Sequence, residues 1–340
     1  MSTAESTAEP TSTPAGPAAP ASSRRTTPRI RPSQIAVAIG IAFALITVAS
    51  GVIATVLQWH DDSSVQREVF GNIPSAWKLV FYTVVPVAIV YGAIVFSWRV
   101  RNWERGGPDD RGTTRRNVGR RLKDFRAGVY MQTLLRDPAA GIMHSLIYFS
   151  FLILLAVTTV LEINHQLPGS AKFLHGDVYR GYALIGDLAG AAFVVGVLWA
   201  LARRYVVRPY RIRTKSKPEH ALILGTLLAI GVTGFAAEMF RIALAGRPDF
   251  EEWSVIGYPL SGLVDTLDNV AGWHQAWWIA HVVSFLLFIV ILPVTMLRHI
   301  FTSPLNMYLR DRERPKGAMK AMPNLMETEL ETFGASTVED

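Results

Sequence analysis

Eight histidines are spread through this 340-residue chain: His60, His144, His165, His175, His220, His274, His281 and His299. Beside an apolar run, histidine suits two kinds of chemistry. One is proton relay, and the other is axial ligation of haem iron by neutral imidazole. His281 lies about two turns inside such a run, where an unpartnered polar group is costly and a functional role is the default. His299 follows eighteen residues later. On one continuous helix the two would point the same way, about 27 Å apart along the axis, which suits two centres near opposite membrane faces. His144 opens an earlier apolar run and His299 closes the last one on the same side, so these two are the expected ligands of an inner haem. His281 would hold iron toward the outer face. His165 lies about 32 Å beyond His144 and about 60° off in direction, within about one turn of the depth of His281.

Each assignment has a plainer alternative. His299 in a last helical turn would complement the helix dipole. His144 at an interface could snorkel or cap. The histidines at positions 60, 165, 175, 220 and 274 lie at edges or in loops, where a solvated role is expected ahead of ligation. Three charged residues also fall inside apolar runs: Asp187, Glu238 and Arg241. Glu238 and Arg241 are three apart and can pair on one helix face. Either they neutralise each other, or Arg241 meets a haem propionate and Glu238 and Asp187 relay protons to a quinone. Gly186, Gly190, Gly225, Gly231 and Gly234 allow close helix packing or room for a flat macrocycle, and spacing does not separate the two.

The elements that must position these residues are transmembrane helices. Half of the residues are hydrophobic and only 18% are charged, unlike an ordinary soluble domain. There is no cysteine, which excludes disulfides and thiolate-bound zinc or iron–sulfur clusters within this chain. Six apolar runs, 35–57, 79–98, 142–161, 182–202, 221–242 and 275–297, are each long enough to cross a bilayer as helix. Residues 1–33, rich in Ser, Thr, Ala and Pro, are expected to be a disordered tail rather than a signal peptide.

Loop charge sets orientation. Residues 99–140 carry eleven Lys or Arg and residues 203–219 carry seven, whereas 58–72 has only Arg67 and 243–273 only Arg247. Basic loops stay in the cytoplasm, so both termini are expected there. The net charge of +7 therefore speaks of topology and not of nucleic acid. Apolar residues at 260, 263, 264, 267 and 270 suggest a short helix over 259–273 on the outer surface.

The segments "MHSLIYFSFLILLAVTTVLE" (143–162), "GDLAGAAFVVGVLWALARRY" (186–205), "GFAAEMFRIA" (234–243) and "HQAWWIAHVVSFLLFIVILPVTMLRHIFTSPLNMYLR" (274–310) resemble the membrane cytochrome b domain of the nitrate reductase gamma-subunit-like family. Within it they look most like the electron transfer flavoprotein–menaquinone oxidoreductase branch of membrane Fe–S oxidoreductases. The likeness covers about residues 75 to 310, and its most specific part is H-x17-H followed by Pro. It implies an all-α integral membrane protein whose helices two to six form a cytochrome b bundle holding one or two haem b groups. His281 and His299 match the last-helix ligands and His144 the inner ligand of the earlier helix. The family's second ligand on that helix falls at Leu154, so either His165 takes its place or the outer haem is absent.

The resemblance divides the chain into a tail (1–33), an extra helix and outer loop (34–72), the haem domain (73–310) and a linker (311–340) toward a missing or separate Fe–S domain. It further implies electron transfer flavoprotein as donor, [4Fe–4S] clusters in that domain or partner subunit, and menaquinone as acceptor. The link is to fatty acid β-oxidation in a bacterial cytoplasmic membrane. Glu238 and Arg241 are the candidates beside the quinone. Two other readings stay open: the cytochrome b subunit of a heterodisulfide-reductase-like or sulfite-reduction complex, and a haem-free anchor or transporter, which would typically show inverted repeats.

Overall fold

A computed structural model describes residues 30–57, 63–105, 115–132, 134–213 and 216–310. The expected tail up to residue 29, the linker 311–340 and His60 lie outside the described residues. The described chain is helical and contains six helices long and apolar enough to cross a membrane. These are α1 (Pro32–Val56), α2 (Ser75–Val100), α4 (Pro138–His165), α5 (Gly176–Leu201), α7 (Pro218–Leu244) and α9 (Val270–Ile291). Four shorter α-helices lie among them, α3 (Arg115–Val129), α6 (Tyr210–Arg213), α8 (Gly257–Ser261) and α10 (His299–Leu309), with short 3-10 segments and one π-helical segment, Ala202–Val207. The chain is a multi-pass membrane protein, and the end carrying the basic loops is called inner below.

Local sequence explains where the spans begin. Asp137 caps α4 by accepting from the Ala140 amide, and Pro138 fits the first turn, where no amide partner is needed. Pro218 starts α7 in the same way. Asn269, at φ 57°, caps α9 through the Gly272 amide. The spans keep large apolar side chains outward, Ile39, Phe43, Leu45 and Ile46 on α1 among them. Lipid needs no polar outer face, and each helix satisfies its own backbone.

Among the six spans, packing runs α4 on α5, α5 on α7, α7 on α9, α9 on α2 and α2 on α1. Phe193, Val197, Ile223, Leu227, Phe288, Ile291 and Leu297 form the buried centre, with Ile147, Phe151 and Leu154 of α4 packed against it. Phe151 reaches Phe288 at 5.6 Å between ring centres, so side chains bridge α4 and α9. A Cβ at Gly231 would lie 2.6 Å from Val194, so glycine sets the α5–α7 approach.

Three expectations are corrected. The last span does not continue to residue 297: α9 stops at Ile291, a turn follows, and α10 restarts at His299. Pro293 lacks an amide to continue the helix, so counting eighteen residues as whole helical turns does not relate His281 to His299. His299 opens a helix rather than closing one. The third span runs on to His165 instead of ending near residue 161. The outer helix over 259–273 does not form: α8 is only five residues long, and turns lead from it to Asn269.

Candidate functional site

At the inner end, His144 and His299 meet. Their ring centres are 6.2 Å apart and the rings are inclined at 64°. The two residues come from α4 and α10, which are 155 positions apart (299 less 144). His144 sits two turns inside α4, half-buried, with its Nδ1 buried and bonded to nothing. His299 is exposed, and its Nδ1 faces the Met296 carbonyl at 2.8 Å. Donation there fixes the tautomer and leaves Nε2 as the free lone pair.

The turn before His299 is held from two sides. The Thr295 hydroxyl donates to the Ile291 carbonyl at 2.8 Å and accepts from the Leu297 amide. Glu219, in the first turn of α7, accepts from the Met296 amide at 2.6 Å. Thr295 and Glu219 are positioning residues that sequence reasoning missed. The Pro-Glu pair opening α7 and the Pro-Val-Thr break in α9 were the available signals.

Two imidazoles gripping one metal place each nitrogen about 2 Å from it, so the ring centres stand about 6 Å apart. The observed spacing fits that requirement. Among the described residues, His144–His299 is the histidine ring pair at this distance.

Toward the outer end, His281 Nδ1 lies 3.1 Å from Thr233 Oγ1. That hydroxyl donates to the Ala229 carbonyl at 2.6 Å, so it accepts from His281 and leaves the second ring nitrogen without a proton. Gly234 flanks the ring, and a Cβ there would lie 3.3 Å from it. His165 is not paired with His281. It ends α4 edge-on to Phe70, at 5.6 Å, in a cluster with Phe81, Tyr82 and Trp278. Its Nε2 is buried and unbonded. Leu154 packs into the hydrocarbon core. His274 departs from the solvated reading: it is buried, with Nδ1 3.3 Å from Asn72 Nδ2.

The three charged residues within the spans hold down the outer segment 249–261. Asp187 accepts from the amides of Ile256 and Gly257 at 2.6 and 3.1 Å. Glu238 accepts from the Ser254 hydroxyl at 3.2 Å. Arg241 does approach Glu238, at 3.9 Å, but its short contacts are two hydrogen bonds to Glu251 at 2.6 and 3.2 Å. Tyr179 donates to the same carboxylate at 2.8 Å. Burial pushes the Glu251 carboxyl up, yet Arg241 and Tyr179 outweigh it and hold the group below its ordinary range.

Comparison with known proteins agrees with this architecture. Residues 169–314 match the nitrate reductase gamma subunit family. The EtfAB:quinone oxidoreductase of Syntrophomonas wolfei is 28% identical over 289 residues, covering 81% of this chain and 38% of that protein. The probable iron-sulfur-binding oxidoreductase FadF of Bacillus subtilis is 27% identical over 208 residues, 61% of this chain and 29% of that protein. The chain thus spans less than two fifths of the length of either relative. No solved structure matches it. Residues 169–314 thus resemble the nitrate reductase gamma subunit, within a multi-pass chain that is similar over part of their length to these two oxidoreductases.

Proposed function

We propose that this chain holds haem b between His144 and His299 and carries electrons from a cytoplasmic donor to menaquinone. The supporting observation is the 6.2 Å approach of two imidazoles from separate helices, each with a ring nitrogen unbonded. Haem b supplies a one-electron carrier when bound. The protein residues do the rest. The Met296 carbonyl orients His299, while Thr295 and Glu219 fix the turn that aims it.

The donor is proposed to be electron transfer flavoprotein, acting through [4Fe–4S] clusters in an Fe–S domain or partner subunit. The relatives' names, EtfAB:quinone oxidoreductase and iron-sulfur-binding oxidoreductase, support this. The setting is a bacterial cytoplasmic membrane with both termini inside, linked to fatty acid β-oxidation. His281, restrained by Thr233, and Glu238 remain the candidates to face the outer redox partner and its protons. A second haem there is not favoured, because no opposing imidazole stands at the inner pair's spacing among the described residues.

The test uses membranes carrying the chain together with its Fe–S region. Reduced electron transfer flavoprotein should reduce the b-type absorbance, and added menaquinone should reoxidise it. Absorbance that responds to a menaquinol but never to the flavoprotein would replace the donor and favour the heterodisulfide- or sulfite-linked reading.

A further inference from the structure

The inner loop between α2 and α4 contains a feature that the electron-transfer reading does not use. Helix α3 has six basic residues and one acid in fifteen positions. At about 100° per residue, Val118, Leu122, Phe125 and Val129 fall within about 60° of arc. Arg121 and Arg126 flank that stripe, and Arg120 and Lys123 lie on the opposite side.

The contacts of α3 with the protein are centred on a neighbouring face, while Val118, Phe125 and Val129 are themselves partly buried. Its contacts with α10 include the Arg121 guanidinium 5.6 Å from the Tyr308 ring, Asp124 3.7 Å from Arg310, and Gly128 against Met307. Arg121, Asp124 and Gly128 are centred about a quarter turn from the apolar stripe. Leu122, in the stripe, is 53% exposed. Arg120, Lys123 and Arg126 are exposed too. The segment joins the inner ends of two spans, α2 and α4. Trp98 and Trp103, at the inner end of α2, are exposed, and tryptophan is enriched at membrane–water interfaces.

We propose that α3 lies in the inner membrane–water interface. Leu122 and its stripe enter the acyl region, and Arg120, Lys123 and Arg126 contact the headgroups of anionic phospholipids. An apolar stripe flanked by arginines, under a strongly basic face, is the pattern of a helix lying in that plane. The negative charge of the inner leaflet is the complement of this surface. Through α10, whose first residue is His299, the lipid-bound helix braces the inner histidine pair. The lipid contact itself does not depend on haem.

The chain contains no cysteine, so one introduced thiol can be labelled alone. Nitroxide labels on Leu122→Cys and, separately, Arg120→Cys would be compared in the full chain, reconstituted in phosphatidylglycerol-containing vesicles. The proposal expects the Leu122 label to collide with oxygen and be shielded from a water-soluble nickel chelate. The Arg120 label should show the reverse order. In pure phosphatidylcholine, or with Arg120, Lys123 and Arg126 all changed to Gln, shielding at Leu122 should weaken. A third label on Tyr308→Cys reports whether α3 still rests on α10. Equal nickel access at Leu122 and Arg120 in phosphatidylglycerol, with the Tyr308 label still immobile, overturns the proposal. So does shielding that appears only when a soluble redox protein is added, which would make the stripe a protein-docking face.

Discussion

Arg241 in α7 and Glu251 in the outer segment form a two-bond ion pair that Tyr179 completes from α5. Glu251 is only 1% exposed, so removal of its carboxylate leaves a buried guanidinium without its main partner. Breaking such a pair costs about 3–5 kcal/mol. Glu251→Ala should therefore lower thermal stability in detergent sharply. Tyr179→Phe, which removes one hydrogen bond to a charged group, should cost about 1.5–3 kcal/mol. Equal melting temperatures for wild type and Glu251→Ala would show that the strap carries no load.

The same pair has a pH dependence. The Glu251 carboxyl is held below its ordinary range in the folded protein, so the unfolded chain binds its proton first as pH falls. Its contribution is complete above the unfolded carboxylate value, about 4.3, and is lost as pH drops through the lower folded value. Acid unfolding followed by intrinsic tryptophan fluorescence should retain this acid-labile step in wild type and lose it in Glu251→Gln. An identical acid profile in the two proteins contradicts the assignment.

Pro293 ends α9 and allows the chain to turn before His299. Pro293→Ala should let the helix run on and rotate His299 away from His144. The expected result is a protein of normal size and helicity with a reduced haem-to-protein ratio. Thr295→Val and Glu219→Gln, which loosen the same turn, should shift the haem midpoint potential or spectrum with smaller losses of pigment. Full pigment in Pro293→Ala would show that the break does not position the ligand.

Much of the architecture was legible in the sequence because lipid imposes a simple rule: about 20 apolar residues to cross. The six spans follow from that rule, and the basic loops mark which ends share a side. The pairing of His144 with His299 was also accessible, since the first lies at the start of one apolar run and the second just past the end of another, at the same side. The route to His299 was not. Helical periodicity assumes a continuous ladder of hydrogen bonds, and a single proline removes that premise. The roles of Asp187 and Arg241 were hidden for another reason. Their partners, the amides of Ile256 and Gly257 and the carboxylate of Glu251, lie in a loop whose fold leaves no periodic trace.

His281 differs from the inner pair in having Thr233, and not a second imidazole, as its ring partner. His281→Ala should therefore leave the inner pigment bound at an unchanged haem-to-protein ratio, while altering its reoxidation by menaquinone. A ratio that falls by half would mean that His281 holds a haem of its own.

The most direct measurement is the reduced-minus-oxidised optical spectrum of the purified chain, expressed with ample haem, beside His144→Ala and His299→Ala. A b-type signal in wild type that disappears in both variants, each still folded by circular dichroism, is the predicted result. A colourless wild type, or a spectrum unchanged in both variants, would contradict the ligation of haem by this pair.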